Sequence, residues 1–139
     1  MPIAQLLYGG SPVALTGNTD LTLLSSAART ATVDSADQQA YFAHGVYVYL
    51  VVSAIADTPS IVLKIQGKLP DGTYIDLLTA TAVTGTGTTV YLLYPVTCPP
   101  GVAPVTKSVC WPIPLNWRVR VEHGDADSIT YSVMATVVI

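Results

Sequence analysis

The clearest alternation of hydrophobic and polar positions lies near the C-terminal end of the chain. Between Asn116 and Glu122, the apolar residues Trp117, Val119 and Val121 occupy every second position. Successive side chains of a β-strand point to opposite faces, so this period of two places the three apolar side chains on one face. The pattern predicts a strand that is buried on one side and solvated on the other, with Trp117 in the core.

Turn-forming residues separate such runs and predict two hairpins. The segment 123–127 reads His-Gly-Asp-Ala-Asp, and the segment 128–139 after it is rich in β-branched residues, so we predict a hairpin here. Upstream, residues 61–66 alternate, Leu-Pro-Asp-Gly follows at 69–72, and an apolar run follows at 74–78. The segment 74–78 reads Tyr-Ile-Asp-Leu-Leu, and this order of strand, turn and strand predicts the second hairpin.

The run 45–52 is apolar on both faces, which is typical of a central strand. Further strand patterns cover 29–33, 88–94 and, more weakly, 21–24, whereas no segment shows a helical period with caps. Seven or eight short strands without intervening helices favour an all-β fold, an antiparallel β-sandwich of immunoglobulin-like or jelly-roll-like type.

The length of 139 residues fits one domain with a core that needs no metal or disulfide. We expect residues 1–18 to form an N-terminal arm or extended segment and residues 19–139 to form the sandwich. A long Pro-rich loop at 95–114 interrupts the regular strand pattern. Long loops in compact domains are often functional, so the arm and this loop are the expected contact elements.

The composition indicates a subunit of a larger assembly. Half of the residues are hydrophobic and 11% are charged, against a usual charged share of about 25%. A monomer with a Thr- and Ser-rich surface is the alternative. The candidate interface residues are Tyr8, Pro12, Tyr47, Tyr49, Pro95, Cys98, Pro100, Val105, Trp111 and Pro114.

Two cysteines bracket the Pro-rich loop. Cys98 and Cys110 could close a small disulfide ring, but two reduced thiols are the expectation for a protein made in the cytoplasm.

Charge and hydropathy argue against two classes of partner. The net charge is −3 and the six basic residues are scattered, which disfavours nucleic-acid binding. The longest apolar run, 46–56, is too short to cross a bilayer of about 30 Å as a helix, so no membrane partner is expected. The first residues show no secretory pattern, and we expect a soluble protein.

The sequence nominates no catalytic, cofactor or metal site. The two histidines, His44 and His123, stand beside glycine at predicted strand edges, and no serine lies in a nucleophile elbow. The acids at 125–128 fall short of a calcium loop, and the Gly-rich segment 85–89 lacks the lysine of a phosphate-binding loop. The eight tyrosines could line a sugar-binding face, although strands and interfaces also use tyrosine heavily.

Several segments resemble a family of small structural proteins encoded by tailed bacteriophages and prophages. The resemblance lies in residues 24–35, 64–68, 74–78, 84–90 and 94–95, and most specifically in 117–133, which reads WRVRVEHGDADSITYSV. Members of that family are described as virion or head-associated proteins without a catalytic motif. The resemblance implies a place in a particle and no reaction.

Together these observations predict a capsid decoration or cement protein at the capsid surface. Its expected partners are the major capsid protein and copies of itself, arranged as a trimer at three-fold positions. The alternatives are a tail or neck component, a carbohydrate-binding sandwich for adhesion to a host, and a small hydrolase that depends on His123.

Overall fold

The computed structural model describes residues 17–95 and 104–139, together with the backbone of two short N-terminal strands. In these residues the chain forms strands and connecting loops, and within them no helix is long and apolar enough to cross a membrane. The strands are β1 (Gln5–Tyr8), β2 (Ser11–Ala14), β3 (Thr19–Arg29), β4 (Val33–Asp34), β5 (Gln38–Gln39), β6 (Gly45–Ile55), β7 (Ile61–Lys68), β8 (Tyr74–Thr79), β9 (Gly87–Leu93), β10 (Lys107–Val109), β11 (Asn116–His123) and β12 (Ile129–Val138).

Two five-stranded sheets carry the fold. The first sheet has the strand order β10-β9-β6-β12-β3. The second has the order β4-β11-β7-β8, with β5 also paired to β11, and β1 and β2 form a separate two-stranded sheet. Each five-stranded sheet ends in edge strands, so the described part of the chain is an open, all-β arrangement.

The central position predicted for residues 45–52 is confirmed. Strand β6 pairs with β12 on one side and β9 on the other. Its side chains at Val46, Val48 and Leu50 are fully buried, while Tyr47 and Tyr49 lie on the opposite face and are half-buried. A strand with a neighbour on each side and residues covered on both faces requires this almost continuous apolar run.

The inner faces of the two sheets share one hydrophobic core. Strand β11 contributes Trp117, Val119 and Val121, each fully buried, as the alternation predicts. Strand β12 of the other sheet contributes Tyr131 and Val133 to the same core. The arrangement is therefore sandwich-like, and the immunoglobulin-like or jelly-roll-like type stays a prediction.

The hairpin predicted at 61–78 is confirmed. Strands β7 and β8 pair in antiparallel register, and the turn between them is closed by a bond from the Leu69 N–H to the Thr73 carbonyl. Gly72 has a φ of 91° in this turn. Glycine carries no Cβ and adopts this left-handed region readily, which explains the Asp-Gly signal in the sequence.

The hairpin predicted at 116–139 is wrong. Strand β11 belongs to the second sheet and β12 to the first, so the turn 124–128 carries the chain from one sheet to the other. Each of the two strands satisfies its backbone groups with other partners, β7 for β11, and β3 and β6 for β12. A turn sequence shows that the chain reverses, but both a hairpin and a crossing between sheets use such a reversal.

The strand predicted at 29–33 is also wrong. Strand β3 ends at Arg29 in the first sheet and β4 begins at Val33 in the second, so residues 30–32 cross between sheets. The Arg29 guanidinium donates to the carbonyl oxygens of Ser25, Ala27 and Tyr131. These bonds lie at a register shift between β3 and β12, where the ladder is interrupted.

Two further differences concern strand number and direction. Ten strands, against the seven or eight predicted, lie in the two large sheets, because β4, β5 and β10 are only two or three residues long and show no periodic pattern. Strand β10 pairs with β9 in parallel, so the first sheet is mixed and not purely antiparallel. The long connection after β9 allows this return in the same direction.

The two segments expected to make contacts contain strands of their own. Within the expected N-terminal arm, β1 and β2 pair in antiparallel register from Gln5↔Ala14 to Tyr8↔Ser11. Within the Pro-rich loop, β10 adds an edge strand to the first sheet.

Candidate interaction surface

The outer face of the second sheet carries a dense set of paired charges. Of the six basic residues in the chain, Lys64, Lys68, Arg118 and Arg120 lie there. Their ion pairs span 2.9 to 3.4 Å and join them to four acidic residues, Asp34, Asp37, Asp76 and Glu122. Four cations facing four anions leave this face with no net charge.

Arg118 lies at the centre of this network. Its guanidinium lies 3.5 Å from the centroid of the Tyr74 ring, and its Nε donates to Gln66 Oε1 at 2.9 Å. Gln66 in turn donates to Asp76 Oδ1 at 2.8 Å, which explains how a polar side chain can be buried here. The face expected to be solvated is therefore half-covered by its own charged side chains.

These contacts shift the pKa values in the direction that favours the charged forms. The hydrogen bond to Lys68 lowers the pKa of Asp37, and the hydrogen bonds to Glu122 and Asp76 raise the pKa of Lys64. The hydrogen bond from Gln66, followed by the contact with Lys64, lowers the pKa of Asp76. The charged groups on this face are thus satisfied within the chain itself.

The outer face of the first sheet has the opposite character. Along β6 it presents Tyr47, Tyr49 and Val51, which pair on the β9 side with Leu92, Val90 and Thr88. On the β12 side the same three residues pair with Thr136, Met134 and Ser132. The Tyr47 and Tyr49 rings are parallel, with centroids 6.4 Å apart. We call this surface the tyrosine face.

Charge is scarce on the tyrosine face. The charged residues in its five strands are Asp20, Arg29 and Lys107. Arg29 bonds backbone oxygens and lies over the ring of the buried Tyr131, and Lys107 donates to the Thr79 carbonyl in the other sheet. Asp20 is therefore the charge that this face presents.

A concavity of about 420 Å³ lies on the tyrosine face beside Asp20. Tyr49, Val51 and Met134 line its apolar part, and Thr136 lies at its polar side. The Tyr49 hydroxyl donates to Thr136 Oγ1 at 3.1 Å, and the Thr136 hydroxyl donates to Asp20 Oδ1 at 2.7 Å. This chain of hydrogen bonds fixes the orientation of the Asp20 carboxylate at the rim.

The structure brings some of the sequence-predicted interface residues together and separates others. Tyr47 and Tyr49 lie side by side on the tyrosine face. Pro95 and Trp111 are exposed in the loop region, and Val105 is half-buried. Pro114 is half-buried against β7, where a Cβ added to Gly67 would meet its Cγ at 2.8 Å.

Four of the predicted interface positions are not fully described. Cys98 and Pro100 lie outside the described residues, and for Tyr8 and Pro12 only the backbone is described. The expectation that Cys98 and Cys110 are reduced therefore stays a prediction.

Sequence reasoning missed the other half of the tyrosine face. Asp20 comes from β3, and Met134 and Thr136 come from β12. Only in the folded sheet does β12 pair with β6 on one side and with β3 on the other. The sequence pattern that could have placed Met134 and Thr136 on the outer face is the alternation of 129–137. In it these two residues point away from the buried Val133 and Ala135.

A further exposed feature is Phe42, in the loop before β6. Its side chain is 68% exposed and its φ is 58°. The left-handed region is costly for a bulky residue, and such strain often marks positions with a role in binding. The Ala40 N–H bonds the Leu115 carbonyl, which places this turn beside the 111–115 segment containing the exposed Trp111.

The two histidines make contacts within the fold. His44 is exposed and its backbone N–H bonds the Val138 carbonyl. His123 Nε2 lies 2.9 Å from the hydroxyl of the fully buried Tyr131, whose pKa burial raises to about 12. Among residues 17–95 and 104–139, no group of three or more metal-ligating side chains occurs.

We expect the stability of the fold to decrease between pH 7.5 and 5.5 because of His123. Burial lowers the pKa of His123 below its ordinary value of 6.5, with nearby Arg29 adding to the decrease and Asp125 opposing it. The unfolded chain therefore binds this proton more readily than the folded protein does. The free energy of unfolding is highest above the pKa that His123 has in the unfolded chain, and it falls as the pH drops through that value. Thermal unfolding at several pH values measures the effect.

His123→Gln should remove this pH dependence, whereas His44→Gln, which changes the exposed histidine, should leave it in place. The carboxylates with lowered pKa values, such as Asp37 and Asp76, lose their contribution only near and below 3.8, the ordinary pKa of an aspartate. An unchanged slope between pH 7.5 and 5.5 in His123→Gln would contradict the assignment to His123.

Comparison with known proteins finds similarity at the level of structure. The SPBc2 prophage-derived protein YomS matches with a TM-score of 0.54 and 13% sequence identity, covering 88% of this chain and 93% of that chain. At this identity the match shows a shared fold. No family model and no curated protein match the sequence.

Proposed function

We propose that this chain is a non-enzymatic structural protein of a bacteriophage particle, a decoration protein that binds the assembled capsid through its tyrosine face. The observation that carries the proposal is the unequal character of the two sheet faces. One face pairs its charges internally, and the other presents aromatic, aliphatic and hydroxyl side chains. Interface cores are depleted in charged residues and enriched in Tyr and Met.

A phage origin is supported by two observations. The sequence resembles small virion proteins of tailed phages, and YomS, which shares the fold, is prophage-derived. A decoration protein suits this surface because many copies bind a repeated lattice, so a small interface on each copy suffices. The major capsid protein and neighbouring copies of the chain are the proposed partners.

Met134→Lys should strongly weaken binding to particles without unfolding the protein. Met134 lies in the middle of the tyrosine face and is 37% exposed, so a lysine there remains solvated in the free protein. In the complex it replaces an apolar contact, and the desolvation of its charge costs binding free energy. The assay is co-sedimentation of purified protein with particles from a phage lacking the gene. We expect at least about a tenfold loss of affinity.

Ile75→Lys is the matched control. Ile75 is 45% exposed and lies on β8 of the other sheet. This variant should bind as the unchanged protein does. Equal binding by Met134→Lys and the unchanged protein would rule out the tyrosine face as the interface.

Cryo-electron microscopy of decorated particles tests the place in the virion. Density on the shell is expected, and density on the tail or neck alone would contradict a decoration role.

Carbohydrate binding is the second candidate function, favoured by the parallel Tyr47 and Tyr49 rings, since flat aromatic surfaces suit sugar rings. Binding of the purified protein to a glycan array, with no binding to particles, would favour this function over the first.

A further inference from the structure

We propose that the concavity beside Asp20 binds one cationic side chain, an arginine or a lysine, supplied by the protein partner. The inference rests on the proposed function only for the source of that side chain. The chemistry of the site itself indicates a basic group.

Asp20 carries a charge that no described basic residue balances. On the second sheet, the acids at Asp34, Asp37, Asp76 and Glu122 each have a basic partner within 3.4 Å. Asp20 instead accepts a hydrogen bond from Thr136, and in the described part of the chain no ion pair joins it to a Lys or Arg. A cation arriving from outside would complete the pairing on this face as it is completed on the other.

The Asp20 carboxylate is already oriented by hydrogen bonds. The Thr136 hydroxyl donates to Asp20 Oδ1, while the same oxygen of Thr136 accepts from Tyr49. Asp20 lies directly opposite Thr136 in the β3–β12 register, so the strand pairing sets this geometry. A carboxylate held in this way loses little side-chain entropy when it binds a cation.

The shape and lining of the concavity suit a long basic side chain. Its volume of about 420 Å³ lies within the range of about 300 to 1,000 Å³ for small-ligand pockets. Val51 and Met134 offer an apolar surface for the methylene stem of a long basic side chain, and Tyr49 adds an aromatic ring. An arginine or lysine matches both parts of the site. Its methylene stem would pack against the apolar lining, and its charged head group would pair with the Asp20 carboxylate.

Peptide titration of the purified, ¹⁵N-labelled protein tests the site without any particle. The probes are acetyl-Gly-Arg-Gly-amide, its lysine counterpart, and acetyl-Gly-citrulline-Gly-amide, in which citrulline matches arginine in shape but carries no charge. We expect saturable NMR shifts centred on residues 20–22 and 134–136 for a basic peptide, with the citrulline peptide at least about tenfold weaker. Equal shifts from the charged and uncharged peptides would overturn the inference.

Asp20→Asn is the decisive variant, because its side-chain oxygen still accepts the Thr136 hydrogen bond while the charge is removed. It should lose about tenfold in affinity for the basic peptide, and the binding of the unchanged protein should weaken at high salt. Asp57→Asn removes the same charge from an exposed loop, at a position whose φ of 59° asparagine tolerates. This control should bind the peptide as before.

The particle assay separates the two proposals. If the unchanged protein does not bind particles, the decoration role fails, while the peptide titration still decides the cationic site. If the unchanged protein binds both particles and peptide but Asp20→Asn binds both equally well, the site inference fails and the decoration role stands.

Discussion

Trp117→Ala should destabilise the protein by about 3–5 kcal/mol, the usual loss when a buried Trp is truncated. The Trp117 side chain is fully buried in β11 and packs in the core shared by both sheets. Removing it leaves a cavity that neighbouring strands cannot fill without breaking their ladders. Chemical denaturation followed by circular dichroism measures the change in the free energy of unfolding.

Trp111→Ala provides a control of the same residue type. Trp111 is 58% exposed, so this variant should lie within about 0.5–1 kcal/mol of the unchanged protein. If both tryptophan variants lost the same stability, the inward orientation of β11 would be contradicted.

Gly45→Ala should also destabilise the protein, by about 1–3 kcal/mol or more. A Cβ at this first residue of β6 would collide with the backbone oxygen of Leu93 and would meet Tyr94 Cδ2 at 2.7 Å. Backbone atoms paired within a sheet cannot move aside cheaply, so β6 and β9 would have to separate locally. Thermal and chemical denaturation of the purified variant give the loss.

Gly85→Ala is the matched control for the glycine substitution. A Cβ at Gly85 would meet nothing within 4 Å, and its φ is not in the left-handed range. The substitution reduces the freedom of the unfolded chain, so stability should be unchanged or rise by up to about 1 kcal/mol. If neither Gly45→Ala nor Gly85→Ala changed the free energy of unfolding, the close approach of β6 and β9 at Gly45 would be contradicted.

The tyrosine face was only partly predictable. Tyr47 and Tyr49 could be placed opposite Val46 and Val48 from the alternation within β6 alone. Asp20 could not be associated with them, because it reaches that face through the pairing of β3 with β12 and of β12 with β6. Strand order is a long-range property, and a local pattern does not contain it.

The paired charges on the other face illustrate the same limit. The sequence indicated that Arg118 and Arg120 point away from Trp117, which the structure confirms. It did not indicate that Gln66 lies beneath Arg118, or that Tyr74 lies 3.5 Å from its guanidinium. These contacts join three strands, and they explain why a face predicted to be solvated is half-covered.

The sequence by itself determined the all-β class, the central position of β6, the inward residues of β11, and the turn that closes the β7–β8 hairpin. Strand periodicity and turn chemistry are local, so they can be read from neighbouring residues. The tertiary structure alone decided that β11 and β12 belong to different sheets, that β10 pairs in parallel, and that the unpaired charge of Asp20 lies beside Tyr49. Each of these depends on which strands pair, and pairing is set by how two sheets bury their apolar faces against one another.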